Sequence, residues 1–178
     1  MVVGYVGENE TVIPFDLGVR MAGGSGVCPI LLQDERKAFL IFSLDSRDPS
    51  WDGSWVRVVS PGDSEIRPIG VIQWIGCHVA VFGHPYVDIR MNHRLWTRGL
   101  KECVSTHAGE VQNSSWIASL EQQDRDRVYY EYQRYSELRH FILLFWDSTF
   151  ECLARDYTVE IVQESMLNVI DRIVREHL

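Results

Sequence analysis

A chain of 178 residues that is 46% apolar and 24% charged has the size and make-up of an ordinary globular domain, which sets aside a disordered segment or a disulfide-stapled miniprotein. Its formal net charge of −8 argues against nucleic-acid binding, because neutralising phosphates requires a basic surface. The same charge suits a basic protein partner, and it also keeps a free domain soluble.

No membrane association is expected, since no run reaches the roughly 18 apolar residues of a spanning helix. The longest candidate, residues 70–83, is interrupted by Gln73, Gly76 and His78. The opening MVVGYVGENETV lacks the basic start and apolar core of a secretory signal. The four cysteines, Cys28, Cys77, Cys103 and Cys152, are widely spaced and form no CxxC pair. That usage predicts free thiols in a reducing compartment, hence a cytoplasmic protein.

In chain order, residues 12–15 (VIPF) predict a short edge strand, because Pro14 cannot donate to a ladder. The run 23–26 (GGSG) is a turn. No GK[ST] follows it and GxGxxG is not met, so there is no phosphate loop, and the chain carries no cofactor signature. From 29 onwards β signals recur at short spacing. Residues 29–33 are apolar, 34–36 turn, and 37–44 (KAFLIFSL) read as a central strand buried on both faces. A loop dense in turn formers, 45–53, carries Trp51, and 54–60 alternates like a strand. Residues 68–83 give two strands about Gly76. Connections this short leave no room for a helical crossover, so an antiparallel meander over 29–90 is expected.

Residues 92–104 predict a short helix lined by Leu95, Trp96 and Leu100, and the polar run 107–115 a linker. That linker is the place where a lobe boundary would fall within a single α+β domain spanning 1–178. Asn113, Ser114 or Ser115 would cap a helix through Trp116, Ile117 and Leu120. The charged, tyrosine-rich stretch 124–137 is an exposed connector.

The segment RHFILLFWDSTFECLARD, 139–156, reads as a β-hairpin turning at Asp147 and Ser148. That turn pairs Phe141 with Ala154, Leu143 with Cys152 and Phe145 with Phe150 on one apolar face, and sets Arg139 opposite Asp156. His140, Ile142, Leu144, Trp146, Thr149, Glu151 and Leu153 take the other, mixed face. Last comes an amphipathic helix through Val162, Met166, Val169, Ile170, Ile173 and Val174. It is expected to pack on the hairpin, the nearest large apolar surface. The fold class is therefore α+β.

No residue is assigned a catalytic role. Glu151 becomes a site candidate if its face of the hairpin is covered, because a desolvated carboxylate is a perturbed one. His140 shares that face, toward the other end of the hairpin. Tyr129 and Tyr132 stand out as contact residues in the connector, where, with Glu121 and Arg139 flanking it, five acids outnumber four arginines and so exclude a basic nucleic-acid groove. Among six tryptophans, Trp51 in its polar loop and Trp146 on the mixed face of the hairpin are the binding candidates. The His/Cys-rich region 77–107 offers His84, His93, Cys103 and His107 as metal ligands, with Cys103 and His107 one helical turn apart. The expected function is a small cytoplasmic, non-enzymatic interaction protein, with a metal-dependent enzyme or binder on 77–107 as the alternative.

Overall fold

The strands sort by their neighbours into two antiparallel sheets. A computed structural model describes residues 7, 9–22, 29–45, 62, 64–83 and 91–178. One sheet has the order β1 (Thr11–Pro14), β6 (Ala108–Gln112), β7 (Arg139–Leu144), β8 (Thr149–Ala154), β5 (Val79–Gly83). The other runs β2 (Ile30–Gln33), β3 (Ala38–Ser43), β4 (Arg67–Ile75), β9 (Asp156–Glu164). Three helices accompany them among the described residues: α1 (Ser115–Asp124), α2 (Tyr132–Ser136) and α3 (Met166–His177). The architecture is α+β. Each sheet anchors its own compact unit, the first drawn from Met1–Asp16 with Cys77–Asp156, the second from Leu17–Gly76 with Tyr157–Leu178.

In the first unit β1 is an edge strand ending at Pro14, where the missing N–H is harmless. The polar run expected as a linker is instead strand β6, held between β1 and β7. Its letters mislead because Ala108, Gly109 and Val111 are buried among polar neighbours. A Cβ at Gly109 would lie 2.6 Å from both the Cys103 sulfur and Val12, so close packing there requires glycine.

The hairpin forms with its two faces as expected, but its register differs by two residues. Its loop closes at Trp146 and Asp147, with Phe145 N–H donating to the Ser148 carbonyl at 2.9 Å. Phe141 therefore faces Cys152, Leu143 faces Phe150, and Arg139 faces Ala154. An even shift keeps every side chain on its face. Neighbouring β5 contributes Phe82, whose ring lies 5.3 Å from Phe150 and 6.2 Å from Phe145, an aromatic contact the two-strand pattern did not contain. Arg139 still reaches Asp156, at 3.4 Å.

The segment 92–104 is two 3-10 turns, Trp96–Arg98 and Leu100–Val104, and not one helix. Gly99 separates them at φ 110°, a conformation that interrupts an α-helix. Leu95, Leu100 and Cys103 are buried against Val12, Val111, Ile142 and Leu144. The turns thus lie over the mixed face of the hairpin.

In the second unit β2, β3 and β4 make the expected meander, and β3 is buried throughout. β5 leaves that meander to pair with β8. α3 is capped by Ser165, whose Oγ accepts from Asn168 N–H at 3.2 Å. Its buried residues Met166, Val169 and Ile173 pack with Phe39, Ile41, Ile69 and Val71. The surface it packs on is thus the β3–β4 face of its own unit, where the sequence expectation named the hairpin. The reason is β9: a nine-residue strand carries the chain on the order of 30 Å and pairs with β4, so α3 starts beside the β3–β4 face. Ile173→Ala is expected to cost about 2–5 kcal/mol in chemical denaturation. Ile170→Ala should cost less, because Ile170 is only partly buried at the margin of the same cluster.

Candidate functional site

The register of the hairpin decides what the mixed face holds. With Leu153 opposite His140 and Glu151 opposite Ile142, His140 and Glu151 become diagonal neighbours on one face. His140 Nε2 lies 2.9 Å from Glu151 Oε2. The covering segment adds Arg94, whose guanidinium meets the same oxygen at 2.5 Å, and His93, whose Nε2 lies 3.4 Å from Oε1. His93 Nδ1 accepts from Leu95 N–H at 3.2 Å, which assigns the ring proton to Nε2, facing Glu151.

The other wall is the start of α1. Asn113 ends β6 in the left-handed region at φ 54°, which asparagine tolerates, and turns the chain into the helix. Its side-chain amide donates to the Asn9 carbonyl at 3.2 Å. Ser114 is the N-cap and accepts from Ile117 N–H at 3.3 Å, while its Oγ lies 2.8 Å from His140 Nδ1. Trp116 sits edge-on to the His140 ring with centroids 5.3 Å apart. Ser115 donates its N–H and its hydroxyl to Glu10 Oε1 at 2.7 and 2.8 Å. Glu10 Oε2 lies 3.6 Å from Arg94, so that one guanidinium is shared between two carboxylates. Glu10 and His140 are wholly buried.

Burial alone would raise the Glu151 carboxyl. Hydrogen bonds from His140 and His93 and the Arg94 charge outweigh it, and hold the group well below its ordinary value. Ser114, His140 and Glu151 are connected like nucleophile, base and orienting acid. The rest of the geometry opposes that chemistry. Ser114 Oγ is engaged as a cap. The neighbouring Ser115 N–H is held by the Glu10 carboxylate, and a negative charge this close to Ser114 disfavours a developing oxyanion. The cluster instead fixes the N-terminus of α1.

The far end of α1 is held as firmly. Glu121 accepts from Tyr130 OH at 2.6 Å and from Arg125 at 3.0 Å. Asp124 accepts from Tyr135 OH and pairs with Arg127 at 2.9 Å. The Tyr130 and Tyr135 rings stack with centroids 6.1 Å apart. These contacts tie the connector between α1 and α2 back onto both helices and leave its tip outside. Val128 and Tyr129 are each 91% exposed, and Tyr132 is 65% exposed.

The predicted site residues separate accordingly. Glu151 is the centre of the buried cluster, whereas Tyr129 and Tyr132 lie on the exposed tip. Trp146 lies exposed in the hairpin turn. Trp51 and His84 lie outside the described residues, as does the strand expected at 54–60. Of the metal candidates, His93 serves Glu151, and Cys103 is buried in the apolar cluster, where burial pushes its thiol up to about 11. His107 follows the second 3-10 turn at φ 58°. Among the described residues no group of three His, Cys, Asp or Glu side chains is arranged to hold a metal ion. Glu10, Arg94 and Ser114 were not singled out as a polar cluster by sequence reasoning, although Ser114 was named as a cap.

No protein-family model, no curated protein and no solved structure matches the chain. No helix among the described residues is long and apolar enough to cross a membrane.

Proposed function

We propose that the chain is a non-enzymatic, cytoplasmic protein-interaction protein whose contact element is the connector between α1 and α2 together with the first residue of α2. The observation that carries this reading is the exposure of Val128, Tyr129 and Tyr132 within five residues of one another, on a backbone braced by Glu121 and Asp124. Single exposed apolar side chains are common on protein surfaces. A braced group of them is different, because the ordering entropy of an interface is already met in the free protein. Tyrosine is also among the residue types that dominate interface energetics. The metal-dependent alternative would draw on His93 and Cys103, which are committed to Glu151 and to the apolar core.

The test compares Val128→Asp and Tyr129→Ala with the unaltered chain in affinity capture from the source cell. Both positions are exposed, so melting temperatures should not change. The captured partner should be lost, with affinity falling at least about 30-fold, the size of an interface hot spot. An unchanged set of captured proteins would remove the connector from the contact surface.

A further inference from the structure

The interaction reading leaves the partner's chemistry open, and the charges around the tip narrow it. The connector and its flanks carry Arg125, Arg127 and Arg134, which in sequence look like a basic rim. Each is committed within the fold: Arg125 to Glu121 at 3.0 Å, Arg127 to Asp124 at 2.9 Å, and Arg134 to His78 Nδ1 at 3.3 Å. Farther along, Glu137 is matched by Arg155 at 3.3 Å. Asp126 and Glu131 remain. Both are exposed, and neither carboxylate has an ion pair or hydrogen bond among the described residues. They bracket Val128 and Tyr129 in sequence, two residues from one and two from the other. The tip is thus an apolar knob beside which Arg125 and Arg127 are neutralised in place, Arg134 is held by an imidazole nitrogen and keeps its charge, and the two anions Asp126 and Glu131 are unmatched.

Resting on the interaction reading, we infer that this knob enters an apolar pocket rimmed by lysine or arginine on a basic protein. Charge decides between occupants. A second copy of this chain would bring Asp126 and Glu131 toward their own counterparts, on molecules that each carry −8. A nucleic acid would meet the same two anions with its phosphates. A basic rim meets them with opposite charge, excludes water from the knob's edge and speeds encounter.

The experiment places p-benzoylphenylalanine at Tyr132, which leaves Val128 and Tyr129 intact, and irradiates the full chain in lysate of the source cell. The adduct is sequenced and the identified protein purified for titration. The expected adduct is a peptide that combines apolar residues with lysine or arginine. Asp126→Asn with Glu131→Gln should weaken binding to that protein about tenfold at low ionic strength, with an unchanged melting temperature, and the difference should shrink as salt screens the rim. An adduct to a second copy, to nucleic acid or to a peptide without basic residues overturns the inference. So does full affinity in the double variant. In those cases the interaction reading stands as long as Val128→Asp still abolishes binding, except that an adduct to nucleic acid overturns the reading as well. Absence of any adduct, or a Val128→Asp variant that binds normally, overturns the reading and the inference together.

Discussion

Replacing Glu151 by alanine is expected to destabilise the protein by about 3–5 kcal/mol near neutral pH, as read by chemical denaturation. The side chain is one of two carboxylates facing Arg94, and it accepts from His140 and His93. Its loss leaves two buried imidazole N–H groups without an acceptor and leaves Arg94 with Glu10 alone. Glu151→Gln keeps the volume and one acceptor and should lie between the two. The effect depends on pH with a definite sign. The folded-state carboxyl is held below its ordinary value of 4.5, so its stabilising contribution is complete above that value and is lost as pH falls through the lower, folded-state one. The wild-type and Glu151→Ala denaturation midpoints should therefore differ most near pH 7 and converge in acid. A constant gap from neutral pH down to about pH 2 would mean that the carboxylate charge contributes nothing to the fold.

Period-two alternation in 139–156 was strong enough to show both faces of the hairpin, and helical spacing after 162 showed α3. Turn placement was not legible to the residue, since Trp146, Asp147 and Ser148 all fit a tight loop. One step of the turn moves the register by two, and that step brings His140 beside Glu151. Sequence placed them at opposite ends of the face, so the centre of the cluster was hidden by a single turn residue. Its outer members were hidden for another reason. Glu10 and Arg94 lie 141 and 57 residues before Glu151 in the chain, in stretches without periodic pattern, and only strand order and the break at Gly99 bring them to one face. The tip was more legible, because Tyr129 and Tyr132 sit in a charged run whose ion pairs are local. Ser114 was legible as a cap, since capping follows neighbouring residues alone. β6 was not, because a central strand of alanine, glycine and valine among polar letters resembles a linker until both neighbouring strands are known.

Cys152→Asp is expected to unfold the first unit or bring it close to unfolding. Cys152 is wholly buried, paired in register with Phe141 on β7 and Ala80 on β5, with Phe150 and Ala154 following on the same face of β8. Burial already holds its thiol well above the ordinary value, so the environment resists even a weakly acidic group becoming charged. An aspartate there would be ionised without a partner, or would take up a proton and still bury an unmatched polar group. Either course costs several kcal/mol against a total stability of roughly 5–15 kcal/mol. The adjacent residue provides the internal control. Glu151 is one position away on the same strand and also carries a carboxylate into the protein, but it points to the opposite face, where Arg94, His93 and His140 receive it. Cys152→Ser and Cys152→Ala change the same site without a charge, and should cost no more than about 1–3 kcal/mol. Thermal unfolding of the three variants tests the assignment. A melting temperature for Cys152→Asp equal to that of Cys152→Ser would show that position 152 reaches solvent or a cation, and that the two faces of β8 are exchanged.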